Sequence, residues 1–133
     1  MEPAQLNSLV LAYLGDAVYE LEVRKYLVAS GLAKVKQLHS AAVGMVRATT
    51  QAKVVHRLLP ELTEEEAGVV RRGRNAKSGS VPKNTDVIDY RYATAFEALI
   101  GYWYLKGEFA KIERVFNMAV AGEPEQVAER TLE

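Results

Sequence analysis

From Leu9 to Tyr19 the residues are almost all apolar or small, and Asp16 is the single charge among them. Glu20, Glu22, Arg24 and Lys25 then give the stretch a wet side. The pattern predicts a first helix, capped by Asn7 or Ser8, running to about Ala29 and stopped by Ser30-Gly31. Val35, Leu38, Ala42, Met45, Thr49, Ala52, Val55 and Leu59 recur at spacings of three or four. They form one buried stripe, so a second helix is expected over 33–59, breakable near Ser40 or Gly44 and ended by Pro60. Thr63-Glu64-Glu65-Glu66 is a capping box whose acids suit a helix N-terminus, opening a short third helix over 64–72 closed by Gly73. A fourth helix is predicted over 87–106, where Glu97 is the only charge between Tyr92 and Leu105. A fifth, over 108–121, carries Phe109, Ile112, Phe116 and Ala119 on one face. No segment alternates apolar and polar residues with a period of two. The pattern therefore predicts an all-α fold, a single bundle of five or six helices.

Two carboxylates break this pattern. Asp16 sits beside Gly15, and Glu97 lies one turn from Gly101. An unpaired buried carboxylate costs several kcal/mol, and a glycine weakens a helix interior by about 1 kcal/mol relative to alanine. Local rules are broken at functional sites more than elsewhere. Two such helices crossing at their glycines would bring the acids together. Together they suit a hard divalent cation such as Mg²⁺, which takes one or two carboxylates and fills its shell with water and phosphate oxygens. Spacing alone leaves open the plainer reading, in which each acid hydrogen-bonds nearby backbone.

Composition narrows the classes. The chain of 133 residues is 49% apolar and 26% charged, which suits one globular domain. It has no cysteine, so disulfide frameworks and thiolate sites are excluded. No secretory leader and no membrane-length apolar run is present, and a cytoplasmic location is expected. Net charge is zero, yet Arg71, Arg72, Arg74, Lys77 and Lys83 fall in one stretch without an acid. The stretch from 71 to 84 also holds Gly, Ser, Pro and Asn75, so it reads as a loop. Such a loop either grips phosphates or is simply solvated. His39 and His56 are too far apart for a helical metal pair and read as solvated or core-edge residues. Tyr90, Tyr92, Phe96, Tyr102, Trp103 and Tyr104 are spaced for core or interface packing.

The motifs themselves are recognisable. LAYLGDAVYELEV resembles the signature helix of the ribonuclease III family, close to NERLEFLGDAVLELVV. ATAFEALIGYWYL resembles its second acidic helix, close to LADTFEALIGAVYLD. The likeness covers about residues 6–116. The RGRNAKS…PKN stretch and the expected absence of a double-stranded-RNA-binding domain are similar to the compact bacterial branch, Mini-ribonuclease III. The resemblance implies that residues 1–133 form one catalytic domain with an acidic tail over 123–133. It implies a homodimeric, Mg²⁺-dependent endoribonuclease that processes large-subunit (23S) ribosomal RNA precursor and leaves 5′-phosphate and 3′-hydroxyl ends. Asp16 and Glu97 would be the catalytic metal ligands. Arg71, Arg72, Arg74, Asn75, Lys77 and Lys83 would bind structured RNA, and a ribosomal protein would be a further partner. Three family acids are missing: Leu9, Ala12 and Thr94 stand in their places. Glu20, Asp86 and Asp89 are the nearest replacements. Their loss also fits an alternative, a catalytically decayed dimeric module that binds RNA or ribosome.

Overall fold

A computed structural model of the chain describes residues 2–32, 34–77 and 80–122. Among these the fold is all-α and contains no strand. Six α-helices are present: α1 (Ser8–Ala29), α2 (Val35–Met45), α3 (Ala48–Leu58), α4 (Glu64–Asn75), α5 (Val87–Lys106) and α6 (Phe109–Gly122). None is long and apolar enough to cross a membrane. The expected tail over 123–133 lies outside the described residues.

Helix α5 is the axle. It is buried on nearly all sides from Ala93 to Trp103, and α1, α3 and α4 pack around it. Its start is fixed by Asp86, whose carboxylate accepts from the amides of Ile88 (2.9 Å) and Asp89 (3.1 Å). Its end is fixed by Gly107, whose φ of 74° suits a residue without a Cβ. Helix α1 begins as expected, with Asn7 accepting from the Leu9 amide at 2.8 Å. Tyr19, Val23 and Leu27 run down its buried face, and Tyr19 meets Phe96 edge to face with centroids 5.0 Å apart.

Two sequence expectations need correction. The helix expected over 33–59 is two helices, broken at Val46–Arg47, just beyond Gly44, one of the two places where a break was expected. The break rotates α3, so the forecast stripe fails in part: Val35 is 79% exposed, while Val54 and Leu58 are buried. Gly73 does not close α4, which continues to Asn75. A Cβ at Gly73 would stand 2.8 Å from Ala95 Cα, so this glycine permits close packing of α4 on α5.

The capping box forms and does more than cap. The Glu66 amide donates to Thr63 Oγ1 (3.1 Å), while Glu66 Oε1 accepts from the Thr63 amide (2.8 Å). Glu66 Oε2 also accepts from Trp103 Nε1 (2.7 Å) and Lys111 Nζ (2.9 Å). One carboxylate thus ties the start of α4 to α5 and α6. Burial pushes its pKa up, but the Lys111, Thr63 and Trp103 bonds outweigh burial and hold it down at about 2. Beside it, the Tyr102 hydroxyl donates to Glu65. Tyr102 and Trp103 are therefore core residues and not the interface residues that composition also allowed.

Candidate active site

The α1–α5 crossing is made by two glycines. A Cβ on Gly15 would overlap the Glu97 carbonyl, and one on Gly101 would overlap the Leu11 carbonyl. Backbone meets backbone, so the residues next to each glycine are brought to the same place. Asp16, exposed on α1, and Glu97, half-buried on α5, come within hydrogen-bonding reach. Burial, then the Asp16 hydrogen bond, then the Asp16 charge raise the Glu97 pKa to about 9. At neutral pH Glu97 keeps its proton and donates it to the Asp16 carboxylate.

This pairing is a fit test for a cation. Two carboxyl groups this close cannot both ionise without a positive partner. Here a proton fills that role, and a hard divalent ion suits the same oxygen donors. Asp16 and Glu97 would hold it. The nearest replacements do not join them. Glu20 pairs with Arg24 at 2.7 Å, and Asp86 is spent on the α5 cap with Asp89 in its first turn. Among the described residues no cluster of three or more Asp, Glu or His is assembled. At the positions of the missing acids, Leu9 is 36% exposed, Ala12 packs in a small apolar cluster with Leu11, Val69, Ala98 and Tyr102, and the Thr94 hydroxyl donates to the Tyr90 carbonyl at 3.1 Å.

The basic residues are differently arranged from the loop expected over 71–84. Arg71, Arg72, Arg74 and Asn75 lie on the last turns of α4, and Lys77 and Lys83 follow outside it. Arg72 Nη2 donates to the Ala4 carbonyl at 3.1 Å, which engages it with the N-terminal segment. Among the described residues the ion pairs are Arg24–Glu20, Lys25–Glu22, Lys106–Glu65, Lys111–Glu66 and Arg114–Glu61. Among the described residues, none of the cations from Lys34 to Arg91 is in an ion pair with a carboxylate.

One contact escaped sequence reasoning. His56 lies against Tyr92 with ring centroids 4.3 Å apart and planes tilted by 45°, and the Arg74 guanidinium lies over the Tyr92 ring at 6.0 Å from its centroid. Periodicity could not find it, because it depends on the turn of α3 after the break at Val46–Arg47.

Comparison with known proteins gives the class first. The pattern described as Ribonuclease III domain matches residues 9–108. The chain is 57% identical over 120 residues to the Mini-ribonuclease 3 of Brevibacillus brevis, covering 90% of each chain. It is 60% identical over 113 residues to that of Desulfitobacterium hafniense, covering 85% of this chain and 71% of the other. A crystal structure of a Fusobacterium nucleatum protein superposes with a TM-score of 0.80 at 34% identity, covering 90% of this chain and 95% of that one. The chain belongs to the ribonuclease III family, on its Mini-ribonuclease 3 branch.

Proposed function

We propose that this endoribonuclease cuts double-stranded RNA at a Mg²⁺ site held by Asp16 and Glu97, and that its natural substrate is the large-subunit (23S) ribosomal RNA precursor. The observation that carries the site is the carboxyl pair that the glycine crossing brings together, Asp16 exposed and Glu97 half-buried within hydrogen-bonding reach of it. When bound, Mg²⁺ supplies an activated water and offsets charge on the scissile phosphate. The chain's own part is to hold the two carboxyl groups at fixed separation. Asp16 faces solvent, where the substrate arrives, and Glu97 stands behind it. Products would carry 5′-phosphate and 3′-hydroxyl ends.

The duplex would be gripped by Arg71, Arg72, Arg74, Asn75, Lys77 and Lys83, through phosphates and 2′-hydroxyls rather than base edges. Residues 1–133 would act as one catalytic domain, working in the cytoplasm. The enzyme would act as a homodimer, so that two sites face opposite strands. Support for the dimer comes from α1, where Tyr13 is 84% exposed and Val10 and Leu21 are 56% and 58% exposed. A groove of about 820 Å³ beside this stripe is lined by Leu14, Ala17, Val18, Leu21, Tyr26 and Phe109. An exposed apolar stripe of this kind marks a protein interface. A ribosomal protein would be a further partner.

The test is cleavage of long double-stranded RNA with Mg²⁺ and with EDTA, for the wild type, Asp16→Asn and Glu97→Gln. Cutting that needs Mg²⁺ and disappears in both variants is expected. Survival of cutting in either variant overturns the site. Cutting of generic duplex without preference for precursor ribosomal RNA overturns the substrate.

A further inference from the structure

His56 on α3 and Arg74 on α4 both meet the Tyr92 ring on α5, His56 at a 45° tilt with centroids 4.3 Å apart and Arg74 over the ring at 6.0 Å from its centroid, each contributed by a different helix. Arg74 Nε also donates to Asn75 Oδ1 at 3.1 Å. Arg74 is half-buried, whereas Arg71, Arg72, Lys77 and Lys83 are exposed. No carboxylate among the described residues pairs with it. A guanidinium lying on an aromatic face keeps its planar fork in one orientation, and that fork matches a phosphate. A freely rotating arginine would lose side-chain freedom on binding; a stacked one has already lost it.

We propose that Tyr92 is a positioning residue for RNA binding: its ring, backed by His56, holds the Arg74 guanidinium ready for a backbone phosphate of the duplex. The inference rests on the RNA-cleaving reading and adds two residues, Tyr92 and His56, to the binding surface. Tyr92 precedes Glu97 by five residues on α5. That places it about 7.5 Å along the helix and about 140° around it, on the flank facing α3 and α4 rather than over the cut. Its effect therefore falls on binding and not on the chemical step.

The experiment measures duplex-RNA binding over a salt series, and cleavage rate at saturating RNA, for variants with unchanged melting. Tyr92→Leu and Arg74→Gln should each weaken binding roughly fivefold and lower the log–log salt slope by about 0.9, one phosphate contact. The double variant should bind no worse than Arg74→Gln alone, and Tyr92→Phe should bind like wild type. All should keep the saturated cleavage rate. Additive losses, a Tyr92→Phe as weak as Tyr92→Leu, or a saturated rate that falls with binding overturns the proposal. Should Tyr92→Leu fail to fold, His56→Ala, at an exposed position, replaces it: weaker binding supports the platform and unchanged binding overturns it. A wild type that binds duplex with this slope but does not cut it refutes the enzymatic reading and leaves the platform standing.

Discussion

Gly15 on α1 and Gly101 on α5 lie against each other, so close that a Cβ on Gly101 would stand 3.2 Å from the Gly15 nitrogen and one on Gly15 2.9 Å from the Gly101 nitrogen. The atoms in the way are main chain and cannot rotate aside. Gly15→Ala and Gly101→Ala should therefore each destabilise the protein by about 3 kcal/mol, the upper end of overpacking, despite alanine's better helix propensity. Thermal melts should fall by roughly 10 °C. Cation affinity should fall as well, because the carboxyl pair separates. A melt within about 2 °C of wild type would contradict the crossing.

Glu97 sets a pH dependence of stability. Its carboxyl titrates at about 9 in the folded chain and near the ordinary glutamate value of 4.5 when unfolded. The folded state thus holds an extra proton between these values. Stability from this group is fully present below pH 4.5 and is lost as pH rises through about 9. Melts in EDTA should show metal-free wild type losing stability over that window and Glu97→Gln losing less. Adding Mg²⁺ at pH 8 should raise the wild-type melt and release about one proton, readable by calorimetry in buffers of different ionisation enthalpy. Identical pH profiles for wild type and Glu97→Gln would exclude the shift.

Glu66 works in the opposite sense. Its pKa is depressed to about 2, so its contribution is present above pH 4.5 and is lost as pH falls towards 2. Glu66→Ala strands the Trp103 and Lys111 donors and opens the cap. A cost of about 2–3 kcal/mol at pH 7 is expected from chemical denaturation, shrinking at pH 3. An equal cost at both pH values would show that packing, not charge, carries the effect.

Tyr13 tests the assembly. Tyr13→Glu should leave the fold intact, since the side chain is 84% exposed. Light scattering should move the mass from two chains to one, with cleavage falling in parallel. A dimer that survives the change would place the interface elsewhere.

Helices α1 and α5 were legible in the sequence because their ends carry local signals. Asn7, Asp86 and Gly107 act on their neighbours in the chain, and the capping box at Thr63 is likewise local. The acid pair was legible because a lone charge in an apolar helix is visible in one dimension, and the adjacent glycines hinted at the crossing. The break at Val46–Arg47 was legible only in its neighbourhood, through Gly44, because no Gly or Pro stands at the break itself and the buried sides of α2 and α3 are chosen by contacts with α1 and α5. The same limit hid the role of Gly73, which matters only against Ala95. Asp86 and Glu20 are held by near neighbours in the chain, the Ile88 and Asp89 amides and the Arg24 guanidinium, which keeps them out of the site.

The distribution of ion pairs has an electrical consequence. Paired charges cancel at short range, while the cations between Lys34 and Arg91, none of them ion-paired with a carboxylate among the described residues, do not. A chain of zero formal charge can thus carry a lopsided potential. A polyanion feels that asymmetry before contact, so the enzyme would be turned during diffusion to arrive basic side first. The orienting torque fades as added salt shortens the Debye length, which is about 10 Å at 0.1 M. Encounter rate, rather than the rate of the cut, would then be the quantity that ionic strength governs.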